Sequence, residues 1–244
     1  MSKSALLARL PGDRTGDLAQ TLQVQCRIPS VHAKQGTLIA DEGDFADHSI
    51  LLLKGWIGLS KTLISGDRQI IDVMLPGDFA LIGTEIVPVA ACSVEALSDV
   101  EYIVVHPMAA NGPDAAFIRL RKLMAASILT AQSRTSELLL RLGRGNAANR
   151  IAYALLEFYV RLEYVGRTQG TRFEFPITQQ KLGEFTGLTN VHVCRTLRRF
   201  EREGLISHPD SGTICLEDVA TLCALADIDI GLLKEEILMR ALPV

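Results

Sequence analysis

Apolar and polar positions follow three different rhythms along this chain. Between Gly36 and Val105 the apolar residues fall into short runs, at Gly36–Ala40, Ser49–Leu53, Gly55–Leu59, Arg68–Leu75, Cys92–Leu97 and Glu101–Val105. Turn chemistry separates them: Asp41-Glu-Gly-Asp44, Lys54-Gly55, Ser65-Gly-Asp67 and Pro76-Gly-Asp78. Short strands joined in this way predict a sandwich or a jelly-roll barrel, the latter a double-stranded β-helix. Two short helices are expected ahead of it, near residues 6–10 and 17–24. From Asp114 the punctuation stops, and Phe117, Leu120, Met124, Ile128, Ala131, Thr135, Leu138 and Leu142 recur at three- and four-residue intervals. That spacing predicts one long amphipathic helix with a near-heptad seam. A stripe of this length needs a partner, and a second copy is the economical one. These residues are therefore the expected homodimer interface, with Ala125, Ala126, Ser127 and Ala131 small enough for close approach. Gly143-Arg-Gly-Asn146 interrupts the helix, since a glycine costs about 1 kcal/mol in a helix interior. Asn146 is placed to cap the next one, Ala147–Glu163, whose Ile151, Ala154, Leu155, Phe158 and Leu162 form its inner side.

The third rhythm runs from Ile177 to Ile206, after a hairpin expected at Arg172–Pro176. Two short amphipathic helices are joined through Thr186-Gly-Leu188, where Gly187 can take the φ > 0 of a sharp interhelical turn. Thr178 and Thr189 stand where a hydroxyl would cap each helix. In the second helix Val193, Leu197 and Phe200 share one stripe, while Asn190, Val191, Cys194, Arg195, Arg198 and Arg199 lie on the opposite face. This pattern is a helix-turn-helix built to enter a DNA major groove. Gly204 ends the second helix, and Ile206 with Ile214-Cys-Leu216 flank His208-Pro-Asp-Ser-Gly212 as a wing-like hairpin. The fold class is α+β, in three parts: a jelly-roll effector domain over 1–113, a dimerisation helix over 114–143, and a winged helix-turn-helix over 144–244 with further helices at its end.

Composition changes this picture only in its charge distribution. The 244 residues are 48% hydrophobic and 22% charged, ordinary for a globular chain of two domains. No apolar window of about 18 residues suggests a membrane span, and no secretory segment opens the chain, so the expected location is the cytoplasm. A net charge of −3 argues against a protein that coats nucleic acid. The surplus is uneven: Gly143–Gly204 holds ten Lys or Arg against six Glu. A basic module joined to an acidic one fits a selective DNA binder. The cysteines, Cys26, Cys92, Cys194, Cys215 and Cys223, form no C-x-x-C pair and suggest neither a zinc ribbon nor a disulfide framework.

In this order, a glycine-punctuated jelly roll, a long helix and a winged helix-turn-helix resemble the Crp/Fnr family of bacterial transcription regulators over nearly the whole chain. The matching residues are Ile177-Thr-Gln-Gln-Lys-Leu-Gly183, Thr186-Gly-Leu-Thr189, Cys194-Arg-Thr-Leu-Arg-Arg-Phe200 and Glu203-Gly-Leu-Ile206, with Glu42-Gly43, Gly55, Gly66 and Pro76-Gly-Asp-Phe79 on the effector side. The resemblance implies that Arg195 reads a guanine through O6 and N7. It implies phosphate contacts from Thr178, Gln179, Gln180, Thr189, His192 and Arg198. Val191 stands where relatives often carry Glu, so a thymine methyl replaces a cytosine amine as its expected contact and the operator should differ.

Resemblance also bears on the signal. Family members that bind cyclic nucleotides hold the phosphate with an Arg-Ser pair, and Ala90 and Ala91 stand near that place in Leu81–Cys92. Binding of cAMP is therefore not expected, no cofactor is predicted, and the effector is left open. Cys26 alone cannot supply the iron-sulfur ligands of the oxygen-sensing branch. His32, His48 and His106 form no recognisable haem ligand set. Cys194 is a candidate redox switch, because cationic neighbours favour an oxidisable thiolate. The leading expectation is a homodimeric regulator on a near-palindromic site in double-stranded DNA, meeting RNA polymerase if it activates, and with no membrane partner. The alternatives are a cyclic-nucleotide-binding signalling module and a cupin-type metal enzyme, the latter opposed by scattered histidines.

Overall fold

Strand β3 (Ser49–Lys54) shows how the first half of the chain is held together, because its consecutive apolar residues are buried on both faces. Ile50 and Leu52 enter one core cluster with Ile57, Met74, Val94, Ala96 and Tyr102, while Leu51 joins Phe79, Ile103 and Val105 in a second. A strand alternates its side chains between faces, so a continuous apolar run is what a doubly covered strand requires. In the computed structural model, which describes residues 28–106 and 115–238, β3 lies in a four-stranded sheet of order β1-β8-β3-β6. The other members are β1 (Ser30–Ala33), β6 (Phe79–Leu81) and β8 (Val100–Val105). A second sheet has the order β2-β7-β4-β5, from β2 (Leu38–Ala40), β4 (Ile57–Thr62), β5 (Arg68–Met74) and β7 (Ser93–Ala96). The jelly-roll expectation holds. Strands β1 and β6 lie outside the apolar runs of the sequence. The helices expected near 6–10 and 17–24, and Cys26, lie outside the described residues.

Helix α1 (Ala115–Arg144) continues through Gly143 and ends within the expected Gly143–Asn146 interruption, at Gly145 and Asn146. The described residues form two compact units, and α1 contributes to both. One holds residues up to Leu59 together with Val73–Ala131; the other holds Ser60–Asp72 together with Gln132–Leu238. The β4–β5 hairpin thus groups with the second half of the chain.

Among the described side chains of α1, the exposed large apolar residues are Ile118, Ile128, Leu129, Leu139 and Leu140. This corrects part of the expected dimer stripe. Leu138 is only 5% exposed within its own chain, and Met124 packs on the Leu51–Phe79–Ile103–Val105 cluster. Both are used inside the protomer. Ile128 and Thr135 are exposed, Ala131 and Leu142 half-buried, and the side chains of Phe117 and Leu120 lie outside what is described. No described helix is long and apolar enough to cross a membrane.

The second unit is built round α2 (Ala147–Tyr164), buried at every position from Ile151 to Leu162. The Asn146 side chain caps it as expected, accepting the amide of Asn149 at 3.0 Å. Around α2 stand α3 (Gln179–Thr186), α4 (Asn190–Arg202), α5 (Val219–Ala226) and α6 (Ile230–Ile237), with a sheet of order β11-β12-β10-β9. Its strands are β9 (Thr168–Gln169), β10 (Arg172–Glu174), β11 (Ile206–Ser207) and β12 (Thr213–Leu216). The terminal helix α6 buries Leu233 and Ile237, and its Lys234 pairs with Glu163 of α2 at 2.5 Å. Ser133 of α1 donates to the Glu236 carbonyl at 3.1 Å. The C-terminal extension is therefore part of the winged-helix unit.

A helix buried on all sides has also buried charge. Glu157 and Arg161 pair at 2.8 Å, one turn apart. Burial pushes the Glu157 carboxyl above its ordinary value of 4.5, against the pull of Arg161, and its Oε2 has no hydrogen-bond partner among the described residues. A carboxyl raised in the folded state stabilises fully below its unfolded value, and that contribution is lost as pH rises through the folded one. Glu157→Gln keeps the shape and stays neutral. The melting temperature of the wild type minus that of this variant should therefore fall as pH rises above about 5, each kcal/mol appearing as roughly 2–4 °C. Calorimetry at a series of pH values checks this; a constant or growing difference would contradict it.

Candidate nucleic-acid interface

Local chemistry sets the two helices of the reading head as the sequence suggests. Thr178 Oγ1 accepts the Lys181 amide at 3.2 Å and starts α3. Gly187 ends it at φ 63°, ψ 36°. Thr189 Oγ1 accepts the His192 amide at 3.4 Å, starts α4, and lies 3.0 Å from Nδ1 of the same histidine. Val193, Leu197 and Phe200 are buried as expected, joined by Thr196.

The opposite face is open. Asn190, Val191, His192, Arg195, Arg198 and Arg199 are exposed and Cys194 is half-buried, while Thr178, Gln179, Gln180 and Thr189 are exposed at the helix starts. The structure thus brings every expected DNA-contacting residue to the surface of one helix pair. It also separates them by what they already hold. Arg199 Nε donates to Glu203 Oε1 at 2.9 Å, and Gln180 donates to Glu184 at 3.0 Å. Arg195 and Arg198 have no hydrogen bond or ion pair among the described residues, so both guanidiniums can meet an anion or a base edge. Four of the ten cations between Gly143 and Gly204 are paired internally: Arg161 with Glu157, Arg172 with Asp210, Lys181 with Glu184 and Arg199 with Glu203. The wing between β11 and β12 is held by the Arg172–Asp210 pair and by His208, 3.3 Å from Glu201 and 3.0 Å from the Thr213 carbonyl.

Two residues that position the head, Arg150 and Gln69, are not marked by any motif of the sequence. Arg150 Nη2 donates to the Leu142 carbonyl at 2.8 Å, its Nε to Gly145 at 2.9 Å, and its Nη1 to Thr186 and Gly187, each at 3.3 Å. One side chain therefore ties the end of α1 to the interhelical turn. Gln69, from the β4–β5 hairpin, donates to the Phe185 carbonyl at 3.0 Å. Gly183 lets the turn close on α3, since a Cβ there would lie 2.6 Å from the Leu188 carbonyl. An arginine or glutamine bonded to carbonyls looks like any solvated one in a sequence.

On the effector side, Ala90 is buried, Ala91 exposed, and Glu85 is the one charged side chain between Leu81 and Cys92. His48 and His106 stand with ring centres 5.8 Å apart, and His106 Nδ1 is 3.2 Å from Asp47. Burial lowers the His48 value, with His106 adding to the effect. His32 is exposed on β1. Among the described residues no group of three or more His, Cys, Asp or Glu could hold a metal ion.

Two family models match the chain. Residues 149–225 match the Crp-like helix-turn-helix domain, and residues 30–109 match the cyclic nucleotide-binding domain. The nitrogen fixation regulation protein FixK of Azorhizobium caulinodans is 30% identical, over 80% of this chain and 77% of its own length. The transcriptional activatory protein AadR of Rhodopseudomonas palustris is 31% identical, over 68% of each chain. Among solved structures, FixK2 from Bradyrhizobium japonicum superposes with a TM-score of 0.71 at 25% identity, covering 83% of this chain and 98% of that one.

Gly187 offers a check on the head's local geometry. Alanine there must adopt φ > 0 and would set its Cβ 2.9 Å from Leu142 Cδ2. Gly187→Ala should lower stability by about 1–2 kcal/mol, read from chemical denaturation; a loss below about 0.5 kcal/mol, the usual size at unconstrained surface sites, would contradict the turn geometry.

Proposed function

Because the chain belongs to the Crp/Fnr family of transcription regulators and carries their helix-turn-helix DNA-binding domain, we propose that two copies join along α1 and set their α4 helices in successive major grooves, about 34 Å apart. The operator is then near-palindromic, and the protein works on DNA in the cytoplasm. The observation that carries this reading is the open face of α4, capped by Thr189 and backed by buried Val193 and Phe200, with Arg195 and Arg198 uncommitted. Arg195 reads a guanine and Arg198 a phosphate, joined at the backbone by Thr178, Gln179, Gln180, Thr189 and His192. Val191, 65% exposed, meets a thymine methyl.

The dimer seam we propose passes through Ile118, Ala125, Ile128, Leu129, Ser136 and Leu139, exposed residues of α1 at helical spacing. Leu129 and Leu139 are left in water by a single chain, and a second α1 would cover them. The relatives are transcription regulators, which leaves no support for a cupin-type enzyme. The signal is not cAMP in this reading: between Leu81 and Cys92 no cationic side chain is present to hold a cyclic phosphate, and the charged group there is Glu85. The relative named as a transcriptional activatory protein favours activation, with RNA polymerase as the further partner.

Selection of binding sites from random DNA should return a near-palindrome, with Arg195→Ala losing about 1–3 kcal/mol and preference at one base pair per half-site. Arg198→Ala should weaken all sites alike and reduce the slope of log affinity against log salt by about one. Loss of sequence preference in Arg198→Ala but not in Arg195→Ala would reverse the assignment. Leu129→Asp should yield monomers in analytical ultracentrifugation and lower operator affinity on the order of 100-fold, as linked half-sites become independent. A variant that stays dimeric would place the seam elsewhere.

A further inference from the structure

His208 stands at the root of the wing with an acceptor on each side of its ring. Nδ1 lies 3.0 Å from the Thr213 carbonyl at the start of β12, and Nε2 lies 3.3 Å from Glu201 Oε1 on α4. A carbonyl oxygen and an ionised carboxylate can only accept, so both ring nitrogens must donate, and the imidazolium is the form with two N–H groups. In either neutral tautomer a lone pair would face one of these oxygens, and that contact would be lost. The other charged groups of the wing and of the end of α4 have partners of their own or face water. Asp210, in the same turn, pairs with Arg172 of β10, and Glu217, just after β12, accepts from Ser207 of β11 at 2.5 Å. Glu203 holds Arg199, and Arg202 is exposed. Glu201 makes no other ion pair among the described residues. The turn itself is fixed by its backbone. The Asp210 carbonyl accepts the Thr213 amide at 3.2 Å and its hydroxyl at 3.0 Å, and the Gly212 carbonyl accepts the Phe175 amide at 2.7 Å. These bonds tie the turn to the segment between β10 and α3. Among the described residues, the side-chain link from the turn to the reading helix is the His208–Glu201 pair.

We propose that His208, as the imidazolium, is a positioning residue for DNA binding: it holds the wing to α4 so that the exposed turn meets phosphates beside the groove, and operator binding takes up protons. The proposal rests on the DNA-binding reading above and adds its dependence on pH. Ser211, exposed in the turn, offers a hydroxyl that can donate to a phosphate. The link is complete where the ring is charged and is lost as pH rises and the ring gives up its proton. Phosphate charge favours the imidazolium, and the coupling is reciprocal: if protonation favours DNA binding, DNA must favour protonation.

The test measures operator affinity by fluorescence anisotropy at constant ionic strength between about pH 6 and about pH 8, the range in which histidine changes charge. It compares the full-length wild type with His208→Gln, Glu201→Gln and His192→Gln. An exposed ion pair shifts an equilibrium by a few fold, so the wild type should lose about threefold in affinity per wing and about tenfold over two wings as pH rises. His208→Gln has no charge to lose, and Glu201→Gln can donate its amide to a neutral Nε2; both should bind without that fall. His192→Gln, altered at the other histidine of the reading head, should bind more weakly yet keep it. Nitrogen-15 NMR of the free wild type at about pH 6 should show both ring nitrogens of His208 protonated. A flat wild-type profile, a wild-type fall in His208→Gln or Glu201→Gln, or its disappearance in His192→Gln overturns the role of His208 and leaves DNA reading in place. So does a lone pair on either ring nitrogen in the NMR measurement. No operator binding by the wild type at any pH overturns the DNA-reading proposal and the role of His208 with it.

Discussion

Burial of α2 on every side is the constraint on which the rest of the second unit depends. Its aromatic and aliphatic residues need cover from several directions at once. Phe158 finds it in Phe175 and Phe185, at ring distances of 6.2 and 5.4 Å, and Tyr159 in Phe173 at 6.2 Å. Those partners come from the strand leading into the reading head and from α3 itself, so the head is placed by the packing of α2. Close-packed interiors have few alternative arrangements, and a head seated this way has a defined orientation before it meets DNA. The same constraint explains the C-terminal helices: without Leu222, Leu233 and Ile237 above it, α2 would expose an apolar side.

A helix that is covered all round can carry charge only in closed pairs. Glu157 and Arg161 lie one turn apart on α2, and each has a partner or neighbour from another element. Buried pairs contribute little net stability but discriminate strongly among registers. The unit therefore combines apolar packing, which supplies the energy, with ionic contacts, which select one arrangement of hairpin, long helix and core helix. The division of labour resembles that of the reading head, where Val193 and Phe200 hold α4 in place and the uncommitted arginines face outward.

The legible parts of the molecule were those with local causes. Capping by Asn146, Thr178 and Thr189, the left-handed turn at Gly187 and the stripe of Val193, Leu197 and Phe200 are set within a few residues of each other, and all appear as expected. The strands with long apolar runs were equally plain. What could not be read depends on distant partners. Asp72, Gln69 and Arg150 are ordinary polar residues until the fold brings a guanidinium or a carbonyl to them. Charge along the head is legible as a sum but not as pairs: four of its ten cations are matched inside the unit, three by Glu residues of the same stretch and one by Asp210 beyond it.

The misplaced part of the dimer stripe has a similar origin. In a helix with apolar residues on two sides, spacing identifies both stripes but does not say which one the protomer uses for itself. Leu138 lies on one and Leu139 on the other, a single residue and about 100° apart in rotation. Here the protomer closes over Leu138 and leaves Leu139 in water. An apolar residue exposed once is unremarkable, since much of any protein surface is apolar. Leu129, Leu139 and their helical neighbours are different because they recur along one line of a single helix, and a line of that kind is covered most completely by another helix of the same period.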